Sequence, residues 1–226
     1  WRDCLGIVKD IRIVDPACGS GAFLIQAYDT LEELYLDVLH HLSYQGVDTD
    51  AMKEQIADNI LHGNLYGVDL SHEAVEITQL SLWLRSAVKG RSLADLSKNI
   101  VCANSLVDDR QVHPEAINWK ESFPEVFGSE NAGFDCVIGN PPWERMKLQE
   151  REFFDGRDRK IATAGNAAKR RQLIGKLEKA NPELFALYKS ALSQTEKNLT
   201  YIRKSDRYPL TGKGDINTYA GFAELA

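Results

Sequence analysis

Four short apolar runs, each breaking off into Asp, Asn or Gly, constrain this chain more than any other feature. They open "IRIVDPACGSG" at residue 11, "LYGVDLS" at 65, "NIVCANSL" at 99 and "FDCVIGN" at 134. The first is a β-branched run, 11–14, that passes through Asp15, Pro16 and two glycines. Leu24, Leu31, Leu34, Val38 and Leu42 follow at the spacing of one face of a long helix. After the second run, Ser71 stands where a helix cap belongs, ahead of a helix through Ala74, Ile77, Leu80 and Leu84. Strands alternating with helices, with polar and glycine residues gathered behind the strand ends, predict an α/β fold with a doubly wound, mostly parallel sheet. Residues 43–63 read as an extra helical insertion between the first helix and the second strand.

In such sheets a ligand crevice opens beyond the carboxyl ends of the strands, where the polar residues of these runs collect. Gly19 and Gly21 lack a Cβ, so the backbone there can reach strained φ values and approach a nucleotide-like cofactor, or simply allow close helix-to-strand packing. The pair does not complete a dinucleotide fingerprint, since Ala22-Phe23-Leu24 follows and the third glycine is missing, which disfavours a pyrophosphate. Asp69 supplies the second-strand carboxylate that can accept hydrogen bonds from both hydroxyls of a ribose. Asn104 and Ser105 can offer a side-chain acceptor and a backbone donor to an adenine edge, or serve as turn residues alone. "TGKG", 211–214, lacks the spacing of a phosphate loop and reads as a turn.

The net charge of −6 is unevenly spread. Residues 1–143 hold 10 Lys+Arg against 22 Asp+Glu, whereas residues 144–214 hold 17 against 9, in a basic, mostly helical stretch broken at Gly156, Gly165 and Asn181-Pro182. Such asymmetry points to a nucleic-acid-facing segment on an acidic body, a solvated helical hairpin being the other reading. Arg145, Lys147, Arg157, Arg159, Lys160, Lys169, Arg170 and Arg171 are the expected phosphate contacts. No apolar run approaches the roughly 18 residues that span a bilayer, so a cytoplasmic protein without a membrane partner is expected. Cys4, Cys18, Cys102 and Cys136 lie far apart without a Cys-x-x-Cys pair, and we expect reduced core cysteines with no metal. Trp1 at the start and an amphipathic pattern still running at Ala226 lead us to expect a piece of a longer protein.

The fourth run ends on Asn140-Pro141-Pro142-Trp143, where two prolines remove two backbone donors and fix two φ angles. Rigid acceptors are thereby presented. Taken in order, "DPACGSGAFL", "GVDL", "ANSL" and "IGNPPW" resemble motifs I to IV of S-adenosylmethionine-dependent adenine-N6 DNA methyltransferases of the gamma order. "NPPWERMKLQEREFF" and "TGKGDINTYAGFAE" are similar to the methylase polypeptides of type IIG restriction-modification and related phage-defence systems.

The resemblance implies a Rossmann-like class I methyltransferase fold, truncated before its last strands and carrying a helical basic insertion. Residues 1–143 would be the cofactor-binding and catalytic core, 144–214 the insertion and 215–226 the start of the motif V helix, where Phe222 touches the cofactor adenine. Asp15, Ala17, Cys18, Gly19 and Gly21 would line the methionine end of S-adenosylmethionine, Asp69 its ribose, Leu70 its adenine face, and Asn104 with Ser105 its adenine edge. Asn140 and Pro141 would accept hydrogens from the target amino group, Pro142 would add rigidity and Trp143 would stack on the flipped base. Double-stranded DNA is the implied partner, with nuclease or helicase and target-recognition domains in the parent chain. The Asn-Pro-Pro-aromatic pattern also occurs in enzymes that methylate a glutamine amide or an RNA guanine, and a non-catalytic DNA-binding remnant is a further alternative.

Overall fold

The apolar runs become strands of one sheet, and in the first three alternate side chains find cover on opposite faces. The computed structural model describes residues 1–87, 95–128 and 132–226. Within them β1 (Ile13–Asp15), β2 (Leu65–Asp69), β3 (Ile100–Cys102) and β4 (Cys136–Val137) form a parallel sheet in the order β3-β2-β1-β4. The register pairs Ile13 with Leu65 and with Cys136, and Val68 with Val101. β2 is central, and its first four residues are buried, as expected of a strand covered on both sides.

One face is covered by α1 (Arg2–Asp10), α2 (Ala22–Tyr44), the insertion and α5 (His72–Ser86). The insertion holds α3 (Asp50–Glu54), α4 (Ile56–Asn59) and a π-helical turn at Ile60–Asn64. Leu65 and Ile100 meet Leu24, Tyr28, Leu31 and Tyr35 of α2 and Val75 and Leu82 of α5 there. On the other face Val14, Tyr66 and Val68 pack with Phe123 and Val126, around α6 (Trp119–Ser122) and α7 (Pro124–Phe127). Asn64, wholly buried, closes the turn: its Nδ2 donates to Val8 O (2.9 Å) and Ile11 O (2.7 Å), and its Oδ1 accepts from Tyr35 OH (3.1 Å). The last carbonyls of α1 thus gain the partners a helix end lacks.

The predicted doubly wound sheet is present, with helices on both faces. Ser71 caps α5 as expected, its side chain accepting from Ala74 N–H. The face of α5 is not the expected one. Val75, Thr78 and Leu82 turn inward, whereas Ile77, Leu80 and Leu84 are exposed, because cover by α2 and the sheet reaches only the first set. The cysteines are all free, but only Cys18 is buried; Cys4 lies on α1 and Cys136 on the edge strand β4, both exposed.

Two compact units partition the chain, the first made of residues 1–110, 114–142 and 226, the second of 111–113 and 143–225. The second is helical: α8 (Glu150–Phe154), α9 (Arg159–Ala162), α10 (Ala167–Ala180), α11 (Pro182–Lys204) and α12 (Thr218–Leu225). Phe154, Ile161, Ile174, Leu177, Leu184 and Tyr188 form its core. Asp158, Asn166 and Asn181 cap α9, α10 and α11 with their side chains, and Pro182 occupies the first turn of α11 where its missing N–H costs nothing.

Candidate functional site

In a parallel sheet the loops that follow the strands all leave from one edge, so Asp15–Gly21, Asp69–Ser71, Asn104–Ser105 and Gly139–Pro142 gather in the first unit. Hydrogen bonds lock the first three together. Asp69 Oδ2 accepts from Gly19 N–H (2.9 Å) and Oδ1 from Ser71 N–H (2.9 Å), so one carboxylate holds the glycine loop and the start of α5. Each oxygen keeps a second lone pair for a ligand hydroxyl. Thr78, one of the inward residues of α5, donates from Oγ1 to Gly19 O (2.8 Å). Gly21, at φ +82°, lies so close to Thr78 that a Cβ would come within 2.9 Å of its methyl. This glycine is therefore required both by the left-handed turn and by close helix packing.

Asp15 is 1% exposed. Its Oδ1 accepts from Ala17 N–H (3.0 Å), while the buried Oδ2 carries no hydrogen bond. Burial above all, with a contribution from the nearby Asp69, raises its carboxyl pKa to about 6 although the Ala17 bond opposes the shift. Gly139 lies directly against it. At φ +147° a Cβ on Gly139 would stand 2.5 Å from Asp15 Oδ1, so the loop carrying Asn140 meets the glycine loop through the Asp15 carboxylate, at a distance that leaves no room for a side chain on residue 139. Cys18 is buried and its thiol is pushed up to about 12, chiefly by desolvation, so it lines the loop as a neutral group.

Asn104 and Ser105 are buried, with their side chains turned to loop architecture. Asn104 Oδ1 accepts from Leu106 N–H (3.1 Å), and Ser105 Oγ donates to Pro16 O (2.6 Å). The Asn104 acceptor expected at an adenine edge thus holds one bond within the chain and keeps a second lone pair. Leu70 is exposed at the end of β2, and Asn140 at the end of β4. Trp143, which opens the second unit, is 76% exposed. An indole that merely filled a core would be covered.

Among the eight basic residues, Arg145, Lys147, Arg157, Arg159, Lys160, Lys169 and Arg171 are exposed. Arg145 pairs with Asp215 (2.9 Å), and Arg157 donates to Phe153 O (2.6 Å) with its guanidinium over the Phe153 ring. Arg170 departs from expectation. It is buried, its Nη2 donating to Ala164 O (3.3 Å) and its Nη1 standing 4.0 Å from Glu150, whose other oxygen accepts from Tyr188 OH (3.0 Å). A guanidinium enclosed in this way is a structural group and not a phosphate contact. Thr78 and Gly139 escaped the sequence reading, although a polar β-branched residue in step with Val75 and Leu82 was a readable signal for the first. Among the described residues no group of three or more His, Cys, Asp or Glu could hold a metal ion, and no helix is long and apolar enough to cross a membrane.

Residues 63–202, more than half of the chain, match the Eco57I restriction-modification methylase family, and residues 4–90 match an RMKL-like methyltransferase domain. A putative type II restriction enzyme and methyltransferase of Methanocaldococcus jannaschii is 40% identical over 47% of the chain and 9% of its own length. The type II restriction enzyme and methyltransferase RM.Eco57I of Escherichia coli is 26% identical over 60% of the chain and 15% of its own. The adenine-specific methyltransferase PglX of Lacticaseibacillus casei is 32% identical over 39% of the chain and 6% of its own. The chain therefore spans less than one sixth of the length of each of these relatives.

Proposed function

The chain belongs to the Eco57I restriction-modification methylase family, and from that premise we propose that it is the core of a DNA methyltransferase that transfers a methyl group from S-adenosylmethionine to N6 of a flipped-out adenine. The observation that carries this reading is Gly139 pressed against Asp15, since it joins the loop of Asn140 to the loop expected to hold the cofactor. The residues fit that cofactor. Asp15 Oδ2, buried and without a partner, suits an ammonium group, and the start of α2, which Gly21 leaves without a side-chain cap, suits a carboxylate. Asp69 has lone pairs left for ribose hydroxyls, and Leu70 offers an apolar face to a purine. When bound, S-adenosylmethionine supplies an electrophilic sulfonium methyl.

Adenine N6 is a weak nucleophile because its lone pair is delocalised into the ring. The Asn140 side-chain oxygen and the Pro141 carbonyl each accept one hydrogen of the amino group, which draws the nitrogen toward a tetrahedral geometry and aims its lone pair. Pro141 and Pro142 hold these acceptors at fixed φ, so the work is done by proximity and electrostatic preorganisation and no base of tuned pKa is required before attack. The exposed Trp143 stacks on the base, which must leave the duplex because its amino group is otherwise paired. The seven exposed basic residues hold phosphates and position the duplex without reading its sequence. In the parent polypeptide, nuclease or helicase and target-recognition domains complete a restriction-modification or related defence enzyme.

The test uses the full-length parent protein. Asn140→Ala should lower methyl transfer by about a hundredfold or more while S-adenosylhomocysteine affinity holds. Nucleoside analysis of the modified DNA should give N6-methyladenine. Methylated guanine or a methylated glutamine amide as the product, or full turnover in the variant, would overturn the reading.

A further inference from the structure

We propose, on the basis of the methyltransferase reading above, that Tyr219 is a positioning residue for that reaction, holding the Trp143 indole in the orientation in which it receives the target base. The two rings lie with centroids 5.7 Å apart and planes inclined by 32°. Both belong to the second unit, and both are exposed, Trp143 at 76% and Tyr219 at 45%. Tyr219 is thus no core filler, and a large aromatic pair kept in water answers to something other than packing.

The pairing is built by the backbone. Thr218, the first residue of α12, donates N–H to Glu144 O (2.9 Å) and its hydroxyl to the same oxygen (3.0 Å), and Met146 N–H donates to Ile216 O (2.9 Å). Arg145 and Asn217 form an antiparallel bridge, and Arg145 pairs with Asp215. Glu144 and Thr218 are 74 residues apart in sequence, and the bonds between them bring together the segments that carry Trp143 and Tyr219. The orientation of the indole is then set by its χ1 and χ2 torsions. An exposed tryptophan populates several staggered rotamers, and a base can stack productively on only one. The Tyr219 ring, tilted against the indole, selects among them, so its removal reduces the competent fraction. Its hydroxyl has no part in this.

The experiment uses the full-length enzyme and a duplex containing its methylated site, with 2-aminopurine at the target position for fluorescence. Tyr219→Ala should lower kcat/KM roughly threefold to tenfold, the size of one aromatic-pair contribution. S-adenosylhomocysteine and duplex affinities should remain within about twofold of wild type, and the 2-aminopurine should brighten because stacking on the indole quenches it. Tyr219→Phe should restore both turnover and quenching. Because Tyr219 acts through Trp143, the double variant with Trp143→Ala should be no worse than Trp143→Ala alone. Should Tyr219→Ala fail to fold, Tyr219→Leu, which keeps apolar bulk without a π face, should show the same loss and the same brightening. Wild-type turnover and quenching in the Ala or Leu variant, or a fully additive loss in the double variant, would overturn the proposal while leaving the methyltransferase reading intact. A wild-type enzyme that does not methylate adenine would remove that reading, and this inference with it.

Discussion

At Asp15, folding and the proposed cofactor contact make opposite demands on one carboxyl group. Its pKa is about 6 in the folded chain against 3.8 ordinarily, mainly because it is buried. The folded state therefore binds the proton more tightly than the unfolded one, and its stability falls as pH rises from about 3.8 to about 6, staying low above that. The shift corresponds to a penalty on the order of 2–3 kcal/mol at neutral pH. We predict that Asp15→Asn raises the denaturant midpoint at pH 7.5 and has little effect near pH 4, as measured by urea unfolding. The same variant should bind S-adenosylhomocysteine more weakly, and wild-type affinity should decline below pH 6 as the carboxylate that would meet the ammonium is neutralised. Unaltered affinity in titration calorimetry across that range would remove Asp15 from the cofactor site. Asp15 was legible in the sequence as the residue that ends a strand before a glycine loop. The enclosure of its carboxylate was not, because Gly139, which lies against Oδ1, is 124 positions away.

Among the elements, the helices divide into those whose ends and faces were readable and those whose faces were decided by neighbours. Ser71 and Asn181-Pro182 announced the starts of α5 and α11, because capping satisfies local backbone donors and depends on nothing distant. The buried side of α5 was not readable. Both Val75-Thr78-Leu82 and Ile77-Leu80-Leu84 repeat at helical spacing, and only the position of the sheet and α2 selects the first. Helix α10 shows the same division among its charges. Lys169 and Arg171 are exposed, whereas Arg170 between them is enclosed with Glu150 and the Ala164 carbonyl. Changing Lys160, Lys169 and Arg171 together to Ala in the full-length protein should lower duplex affinity equally for any sequence. The slope of log affinity against log salt should flatten by about 0.9 for each phosphate no longer neutralised. Arg170→Ala should instead leave that slope alone and lower stability by about 1–3 kcal/mol, since buried acceptors lose their donor. A salt slope unchanged by the triple variant would show that this face does not hold DNA.

For the molecule as a whole, the parallel order β3-β2-β1-β4 brings four separate sequence motifs to one edge of one sheet. A ligand seated there should protect all of them together. At a hundred times its Kd, S-adenosylhomocysteine should add about 2.7 kcal/mol to the stability of the first unit. Hydrogen exchange should slow at residues 15–21 and 67–71, and protection confined to residues 143–225 would place the cofactor elsewhere. The sequence by itself determined the strand, glycine-loop and helix units, their caps and the rigid Asn140-Pro141-Pro142 turn. These follow from backbone chemistry within a few residues, and the pattern of apolar runs was enough to predict a doubly wound sheet. Only the tertiary structure decided which carboxylate oxygen is left unpaired, which arginine is enclosed, which side of α5 faces the sheet, and that Trp143 stands open beside Tyr219. Each of those outcomes depends on burial and on partners brought from tens of residues away, and burial belongs to the packed chain, not to any stretch of it.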